Sequence, residues 1–333
     1  MELANELEMQ RDAPGSCEAE AHALLALASL KGVGYWTLFK LKRDGISARS
    51  ILERSDGAEV ARTLMQHGAK IGASGTDWAD ASKRAVERAN RLIDETEKKG
   101  IRIIFPDSPT YPKSLLTLDD PPAWLFVRGE ASVLSAPSLT AVGTRKPSSD
   151  GEWLSRFVGM NLADWKAPTV SGLATGMDQD VHDFSIRMGV PTIAVLGTGI
   201  QTEYPKGSDR LADMIVREGG AIVTEYLPND SYSGENFVRR NRLQAALGRV
   251  LIPIEWSPKS GTAHTINYAA SLGRPIAGLR VTDWPDDRVM LPQKSHSNSR
   301  VFTIPREQSR FFEFVQKALA EPLRTREIQP DLI

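Results

Sequence analysis

Short apolar segments alternate with helical segments through the second half of the chain, and this alternation restricts the fold more than any other feature. The apolar segments lie at residues 139–142, 168–171, 191–196, 221–224, 249–254 and 275–279. Apolar residues at helical spacing follow each of the first five. Strands that alternate with helices in this way are typical of α/β folds. We therefore expect a doubly wound, mostly parallel sheet with helices on both faces.

The rest of the chain divides into regions of different texture. Residues 1–19 are polar and acidic and predict a disordered leader. Residues 20–75 carry apolar side chains at helical spacing and predict a small N-terminal helical domain. We assign residues 76–281 to an extended sheet domain, which begins with a charged helix at residues 77–99. Residues 282–333 form a C-terminal extension.

Elements on either side of the alternation are also predicted. Two short strands precede it, at residues 101–105 and 123–127. After it, residues 282–300 are polar and predict irregular structure, and residues 306–320 predict a terminal helix. That helix carries Phe311, Phe312 and Phe314. We expect these rings to pack on the sheet; the alternative is a surface for a partner.

Composition excludes several classes of protein. Lys and Arg total 41 against 42 Asp and Glu, so the net charge of −1 allows only a local basic site for nucleic acid. Cys17 is the single cysteine, which excludes an intramolecular disulfide and a cysteine-based zinc site. No apolar stretch reaches the roughly 20 residues that span a bilayer, and the polar start is unlike a secretory signal. We expect a cytoplasmic protein without a membrane partner.

A glycine turn, Leu30-Lys31-Gly32-Val33-Gly34, joins two predicted helices near the N-terminus. Helix, glycine turn and helix is the arrangement of a helix-hairpin-helix half, whose turn can bind a DNA phosphate. A small helical bundle with a glycine turn has the same sequence pattern. Both interpretations stay open.

Two predicted strands end in turns that suit phosphate binding. Ligands of an open parallel sheet bind beyond the carboxyl ends of its strands, where helix N-termini offer free N–H groups. The first turn holds Gly143, Thr144, Arg145 and Lys146, so two cations lie beside a glycine. The second turn holds Ser171, Gly172, Thr175, Gly176 and Asp178, with Asp178 placed to cap the next helix.

These turns do not match the common nucleotide fingerprints. Their spacing is neither GxGxxG nor GxxxxGK[ST], which lowers the expectation of NAD or ATP. Asp178, Asp180 and His182 alternate on a helix and so cannot easily share one metal ion. His264 has no Ser or Cys partner nearby in the sequence. We expect no metal, no cofactor and no catalytic residue.

The densest basic segment surrounds Phe237, at the start of a predicted helix. Arg239, Arg240 and Arg242 lie there with Asn236 and Asn241, and Glu235 is the one acid close by in sequence. Cations suit phosphates and an aromatic ring suits an unstacked base. We therefore expect the three arginines to be available for ligand, and to converge with Arg145, Lys146 and Lys259 at one end of the sheet.

Residues 139–281 resemble the DprA/Smf DNA-processing family. Six segments carry the resemblance, in the family's order: AVGTRKPSSDG (141–151), VSGLATGMDQDVH (170–182), IAVLGTGIQTEYP (193–205), GAIVTEY (220–226), NFVRRNR (236–242) and KSGTAHT (259–265). Upstream, residues 111–129 and 27–34 are similar to the family's entry segment and N-terminal helical domain. The resemblance implies a Rossmann-like sheet.

The resemblance also implies a function. The family binds single-stranded DNA without marked sequence preference, self-associates, and helps to load RecA during natural transformation. We therefore expect single-stranded DNA, RecA and a second copy of the chain as partners in DNA recombination. The residues expected at the nucleic-acid site are Gly143, Thr144, Arg145, Lys146, Ser171, Gly172, Gly176, Tyr204, Phe237, Arg239, Arg240, Asn241, Arg242, Lys259, Ser260 and Gly261, with Asp178 and His182 as structural pocket residues.

The chain departs from the family pattern in places. Glu235 is an extra acid in the family's G-N-F segment, Glu255-Trp256 replaces apolar residues, and nothing after residue 282 resembles the winged-helix domain of many members. These departures favour DNA binding over RecA loading and allow a role in a mobile element or in phage defence.

Two other functions stay open. Related LOG-like enzymes process nucleotides with a glutamate at the position of Thr265, so hydrolysis is disfavoured here, although a nucleotide sensor is not. An interaction scaffold with a vestigial pocket is the third possibility.

Overall fold

The computed structural model describes residues 14–71, 77–292 and 298–322. By its internal contacts the chain forms two units, with the division between Lys99 and Gly100. The first unit is helical and the second contains the sheet, as the sequence predicts. Residues 1–13, most of the expected leader, lie outside the described residues, and residues 14–19 are helical.

The helical unit is held together by buried leucine and isoleucine side chains and by a carboxylate that caps the start of one helix. Its described helices are α1 (Pro14–Ala28), α2 (Tyr35–Arg43), α3 (Ala48–Glu53), α4 (Gly57–Gln66) and α5 (Trp78–Lys98). Leu25, Leu38 and Ile51 are almost completely buried. The Glu20 carboxylate accepts hydrogen bonds from the Ser47 hydroxyl (2.5 Å) and the Ala48 N–H (2.6 Å), which ties α1 to the start of α3.

Helix α5 lies in the helical unit, whereas the sequence assigned residues 76–99 to the sheet domain. The Arg88 Nε donates to the Ser29 hydroxyl at 3.2 Å, and Ala85 and Ala89 are buried. Ala85 and Ala89 belong to a buried apolar stripe at helical spacing on α5. Spacing alone predicts that such a stripe is covered, but it does not say which unit covers it.

The sheet has nine strands in the order β1-β2-β6-β5-β4-β3-β7-β8-β9. The strands are β1 (Ile101–Ile104), β2 (Leu125–Gly129), β3 (Ser138–Val142), β4 (Thr169–Ser171), β5 (Thr192–Val195), β6 (Ala221–Thr224), β7 (Gly248–Pro253), β8 (Ile276–Val281) and β9 (Ser299–Ile304). Strand β2 pairs antiparallel with both β1 and β6. Along the rest of the sheet, in the spatial order β6-β5-β4-β3-β7-β8-β9, each strand pairs in parallel with the next. The predicted mostly parallel α/β sheet is confirmed.

Helices cover both faces of this sheet, so its inner strands are buried throughout. They are α6 (Ser149–Trp165), α7 (Met177–Arg187), α8 (Asp209–Arg217), α9 (Gly234–Leu247), α10 (Gly261–Ser271) and α11 (Gln308–Ala320). Short 3-10 turns lie at Lys113–Thr117, Ala131–Ser135 and Asp286–Val289. Among the described residues, no helix is both long and apolar enough to cross a membrane.

The C-terminal extension continues the sheet domain. Strand β9 pairs in parallel with β8 over six residues, although residues 282–300 were expected to be irregular. Helix α11 then packs with Phe311 fully buried and Phe312 and Phe314 partly buried against the same core. Packing of these rings on the sheet is therefore confirmed. The run Ser-Arg-Val-Phe-Thr-Ile has the β-branched and aromatic composition of a strand, which was the available signal.

Candidate nucleic-acid interface

A cavity of about 720 Å³ opens at the carboxyl ends of the central strands. The turn after β3 forms one wall and the first half of α9 forms another. Eleven of the predicted residues line it: Gly143, Thr144, Arg145, Lys146, Asp178, Tyr204, Phe237, Arg240, Asn241, Ser260 and Gly261. The expected convergence at one end of the sheet is thus present for these residues.

The turn after β3 is anchored through its backbone. The Thr144 N–H donates to the Glu255 carbonyl at 2.7 Å, and the Thr144 carbonyl accepts from the Met177 N–H at 3.2 Å. A side chain at Gly143 has no room, because a Cβ there would lie 2.6 Å from the Met177 side chain. With the backbone held, the side chains of Arg145 and Lys146 remain exposed at the cavity.

Three aromatic rings form the opposite wall. Tyr204 lies 4.6 Å from Tyr232 and 4.9 Å from Phe237 between ring centroids. The Arg145 guanidinium lies 5.5 Å from the Phe237 ring centroid, within cation–π range. Gly197 makes room for this wall, since a Cβ there would lie 2.5 Å from the Phe237 ring. A cation and an aromatic surface are therefore adjacent in the cavity.

The floor of the cavity is a buried pair, Asp178 and Arg240. Arg240 donates to the carbonyls of Gly172 (2.8 Å) and Val195, and its Nε donates to Asn241 at 3.2 Å. A Cβ on Gly172 would lie 2.5 Å from both the Arg240 guanidinium and the Asp178 carboxylate. Glycine at 172 is therefore required for the close approach of these two side chains.

Burial shifts the ionisation of both floor residues. It raises the pKa of the Asp178 carboxyl, while the positive charge of Arg240 and hydrogen-bond contacts with Ser171, Ala174 and Gly143 oppose that rise. Burial also lowers the pKa of Arg240 to about 10, and the Asp178 charge opposes that fall. Arg240 still carries its proton near neutral pH and so places a buried positive charge beside Asp178 in the floor.

Arg239 and Arg242 do not line the cavity. Arg242 donates to both Glu225 carboxylate oxygens (2.5 and 2.7 Å) and to Asp120 at 2.9 Å, and it is 2% exposed. Arg239 lies 3.4–3.5 Å from the same two carboxylates. The expectation that all three arginines are available for ligand is wrong for Arg239 and Arg242, because acids from other segments of the chain pair with them.

The other predicted residues lie around the cavity rather than in its lining. The Ser171 hydroxyl donates to the Ala141 carbonyl at 2.8 Å, and Gly176 begins α7 at a φ of 83° against the Arg145 backbone. Lys259 is exposed next to Ser260. His264 is exposed on α10.

His182 is buried behind the cavity floor. Its Nδ1 lies 2.7 Å from the Thr192 hydroxyl. Burial, with a smaller contribution from the Arg240 charge, lowers the pKa of His182 to about 3. The imidazole is neutral at physiological pH, which fits the structural role expected of it.

Sequence reasoning missed several contributors to the site, of which three make specific contacts. Tyr232 extends the aromatic wall from a polar loop, where a single tyrosine gives little signal. The Thr262 hydroxyl donates to the Gly143 carbonyl at 3.0 Å and so joins α10 to the turn after β3. Glu255 accepts from the Ser148 N–H and hydroxyl, both at 2.9 Å, and so ties the segment that follows β7 to the start of α6.

These features define what the cavity can bind. Two exposed cations suit anionic oxygens, and three adjacent rings suit a planar group. The carboxylate of Asp178 is paired and buried in the floor. The arrangement suits a phosphate attached to a base.

The family described as DNA recombination-mediator protein A matches residues 102–293, which is more than half of the chain. The match includes the strands β2–β8 and every residue that lines the cavity. It ends before β9 and α11.

Curated relatives agree with the family match. Protein Smf of Synechocystis and Protein Smf of Escherichia coli are each 35% identical to the chain, over 193 and 183 residues. These alignments cover 57% and 55% of the chain, which spans about half the length of both relatives. DNA processing protein DprA of Streptococcus pneumoniae is 35% identical over 254 residues, covering 73% of the chain and 86% of the relative.

Solved structures share the fold. The X-ray structure of DprA from Streptococcus pneumoniae matches 89% of the chain and 96% of its own, with a TM-score of 0.60 at 23% identity. A Helicobacter pylori DprA structure, described in terms of its single-stranded DNA binding mode, matches 65% of the chain and 97% of its own, with a TM-score of 0.55 at 22% identity. The chain therefore belongs to the DNA recombination-mediator protein A family, which includes the DprA and Smf DNA-processing proteins.

Proposed function

We propose that the chain binds single-stranded DNA in the cavity at the carboxyl ends of the sheet. One observation carries the proposal: exposed cations lie beside an aromatic wall in one open cavity of about 720 Å³. Single-stranded nucleic acid offers alternating phosphates and unstacked bases, and it matches this pair of surfaces.

Arg145 and Lys146 supply the phosphate contacts. Both side chains are exposed, and no acid pairs with either among the ion pairs of the described residues. Their charges are therefore available to replace counterions along a DNA strand. Binding should weaken as salt rises, because released counterions drive association.

Tyr204, Tyr232 and Phe237 supply the base contacts. Stacking uses the face of a base, which every base has, so this wall favours binding without strong sequence preference. Tyr232 is 58% exposed and is the outermost ring, so it is placed to meet a base first.

The role we propose is binding rather than catalysis. Thr265 is buried in the cavity lining at the position where the LOG-like enzymes carry a glutamate. A hydroxyl there cannot supply the negative charge that stabilises an oxocarbenium-like transition state. Asp178 is held by Arg240 and by the backbone around it, which fits a structural role.

The family relation supports further proposals about the setting. We propose that the protein acts in DNA recombination or uptake in the cytoplasm, as a dimer, with RecA as a partner. A bounded cavity of about 720 Å³ in a chain of net charge −1 fits a short footprint, which self-association would lengthen.

A titration with fluorescent oligo(dT) across a salt series tests the DNA proposal. We expect tight binding at low salt that weakens steeply as salt rises. Arg145→Ala with Lys146→Ala should reduce affinity about 10-fold to 100-fold, as expected for losing two charge-assisted contacts. The matched control, Arg217→Ala with Arg306→Ala, removes two exposed cations elsewhere on the sheet unit and should change affinity little.

Two results would contradict the proposal. One is the absence of oligo(dT) binding at low salt by the folded wild-type protein. The other is an equal loss of affinity in the double variant and its control. Release of free base from nucleoside monophosphates would instead support a nucleotide-processing enzyme.

A further inference from the structure

The helical unit carries an exposed basic and aromatic surface that the cavity does not include. Residues 29–43, together with residues 68–71, contain five cations and no acid. This is a local excess in a chain whose total charge is −1. We name Lys31, Trp36, Lys40 and Lys70 the α1–α2 patch.

The fold brings the members of this patch together. The Lys70 N–H donates to the Gly32 carbonyl at 2.8 Å, so Lys70 lies beside the turn that holds Lys31. Gly32 has a φ of 91°, and a Cβ there would overlap the Lys70 backbone. Glycine therefore permits the close approach of the two lysine-bearing segments.

Trp36 and Lys40 share one face of α2. They lie one turn apart, at i and i+4, while Thr37, Leu38 and Leu41 are buried on the other face. The Lys40 ammonium reaches toward residue 68, next to the segment that carries Lys70. Lys40 thus lies one helical turn from the tryptophan, and Lys31 and Lys70 flank the turn that precedes it.

Trp36 is oriented although half of its surface is exposed. Tyr35 packs edge-to-face against it at 5.2 Å, and Phe39 does so at 5.8 Å. The indole is 50% exposed. A large ring that is fixed in place and open to solvent is a stacking platform rather than a core residue.

We infer that the α1–α2 patch is a second contact site for single-stranded nucleic acid. A base stacks on Trp36, and Lys31, Lys40 and Lys70 contact the adjoining phosphates. The charge complementarity and the exposed ring argue for this ligand, since a protein interface of ordinary size is built around an apolar core, whereas this patch offers one ring among lysines. The inference extends the proposed function to a second site and does not require the cavity to bind.

Photocrosslinking tests the location directly. The full-length protein is irradiated with oligo(dT) that carries 5-iodouracil, and crosslinked peptides are identified by mass spectrometry. We expect crosslinks at Trp36 in addition to crosslinks at the cavity rings. Crosslinks at Trp36 alone would support the patch and count against the cavity, whereas crosslinks confined to the cavity would overturn the patch.

Affinity measurements provide an independent test in the Arg145→Ala Lys146→Ala background. Adding Lys31→Glu and Lys70→Glu should lower the remaining oligo(dT) affinity at least about 10-fold. The matched control, Lys83→Glu with Lys98→Glu, reverses two exposed lysines of the same unit. Equal effects in both pairs would overturn the inference.

The tryptophan has its own control. In the same background, Trp36→Ala should lower affinity roughly 5-fold to 100-fold, the range expected for one stacked base. Trp36→Phe keeps a stacking ring and should restore most of the affinity. Retained affinity in Trp36→Ala, with an unchanged melting temperature, would overturn the inference.

Discussion

Two groups of basic side chains lie within the sheet unit and have different environments. Arg145 and Lys146 are exposed at the cavity, and the backbone of Thr144, just before them, is held by Glu255 and Met177. Arg242 is buried and bonded to Glu225 and Asp120, which come from two other segments. We call Arg145 and Lys146 the cavity cations. We call Arg242 and Arg239, which pair with the same two acids, the paired arginines.

The difference teaches that partners, rather than residue type or density, decide what an arginine does. Asp120 lies far from α9 in sequence and Glu225 directly follows β6, and these two acids pair with the paired arginines. The cavity cations follow a glycine turn at a strand end, where backbone geometry rather than a carboxylate holds the loop. The first group therefore stabilises the fold and the second is available for ligand.

The largest effect is expected for Arg242→Ala. This substitution removes the buried positive charge that pairs with the Glu225 and Asp120 carboxylates. It should therefore lower the free energy of unfolding by about 3–5 kcal/mol. Chemical denaturation measures this. Arg156→Ala, which breaks an exposed pair with Glu152, should cost no more than about 0.5 kcal/mol. If Arg242→Ala were as stable as wild type but failed to bind DNA, the distinction between the two groups would collapse.

Tyr232→Ala should weaken binding without weakening the fold, because the ring is mostly exposed. Loss of one stacking surface corresponds to about 1–3 kcal/mol of binding free energy. Fluorescence titration with oligo(dT), paired with a thermal melt, separates the two effects. Tyr232→Phe retains the ring and should bind like wild type; an equal loss in both variants would argue against stacking.

Acid should destabilise the fold through His182, because burial lowers the pKa of that imidazole. The pKa of His182 falls from 6.5 to about 3 on folding, so between these values the unfolded chain binds a proton that the folded chain excludes. The contribution of His182 to the free energy of unfolding is fully present above pH 6.5. It is lost as the pH falls toward 3, by up to about 1.4 kcal/mol per pH unit.

Denaturation at several pH values tests this prediction. His182→Asn should show a shallower loss of stability between pH 6.5 and 4.5 than wild type. Identical slopes would show that His182 does not titrate on folding. DNA binding should persist between pH 6.5 and 4.5 wherever the protein remains folded, because lysine and arginine side chains in general are charged in that range.

The smallest effect is expected for Glu235→Gln. Glu235 is an exposed acid at the start of α9, close in sequence to Phe237. Removing its charge should tighten oligo(dT) binding by less than about threefold, and only at low salt, because exposed charges are screened. Weaker binding in this variant would show that Glu235 takes part in the site.

The sheet was readable from sequence because its signal is local. Each strand is a short apolar run ended by a glycine or a turn, and the carboxyl ends of parallel strands share one edge. That rule placed Gly143, Arg145 and Ser260 together although they are distant in the chain. Strand β9 was missed because it lies between polar segments rather than in the alternation.

The pairing of side chains was not readable from sequence. Arg239, Arg240 and Arg242 look alike in a dense basic segment, yet helical geometry aims Arg240 at the floor and the other two at Glu225. Nothing near them in sequence indicates Asp120 or Glu225. Tyr232 joins Tyr204 only because the loop before α9 returns to the strand ends. Such contacts depend on tertiary structure alone.

A matched pair of variants tests the central claim most directly. Arg145→Gln and Arg239→Gln each remove one positive charge from the sheet unit, and oligo(dT) affinity is measured for both across the same salt series. We predict that Arg145→Gln weakens binding and lowers the salt slope by about 0.7, as expected for one lost phosphate contact on a single strand. Arg239→Gln should leave both quantities near wild type. Equal losses in the two variants, or a loss in Arg239→Gln alone, would contradict the account.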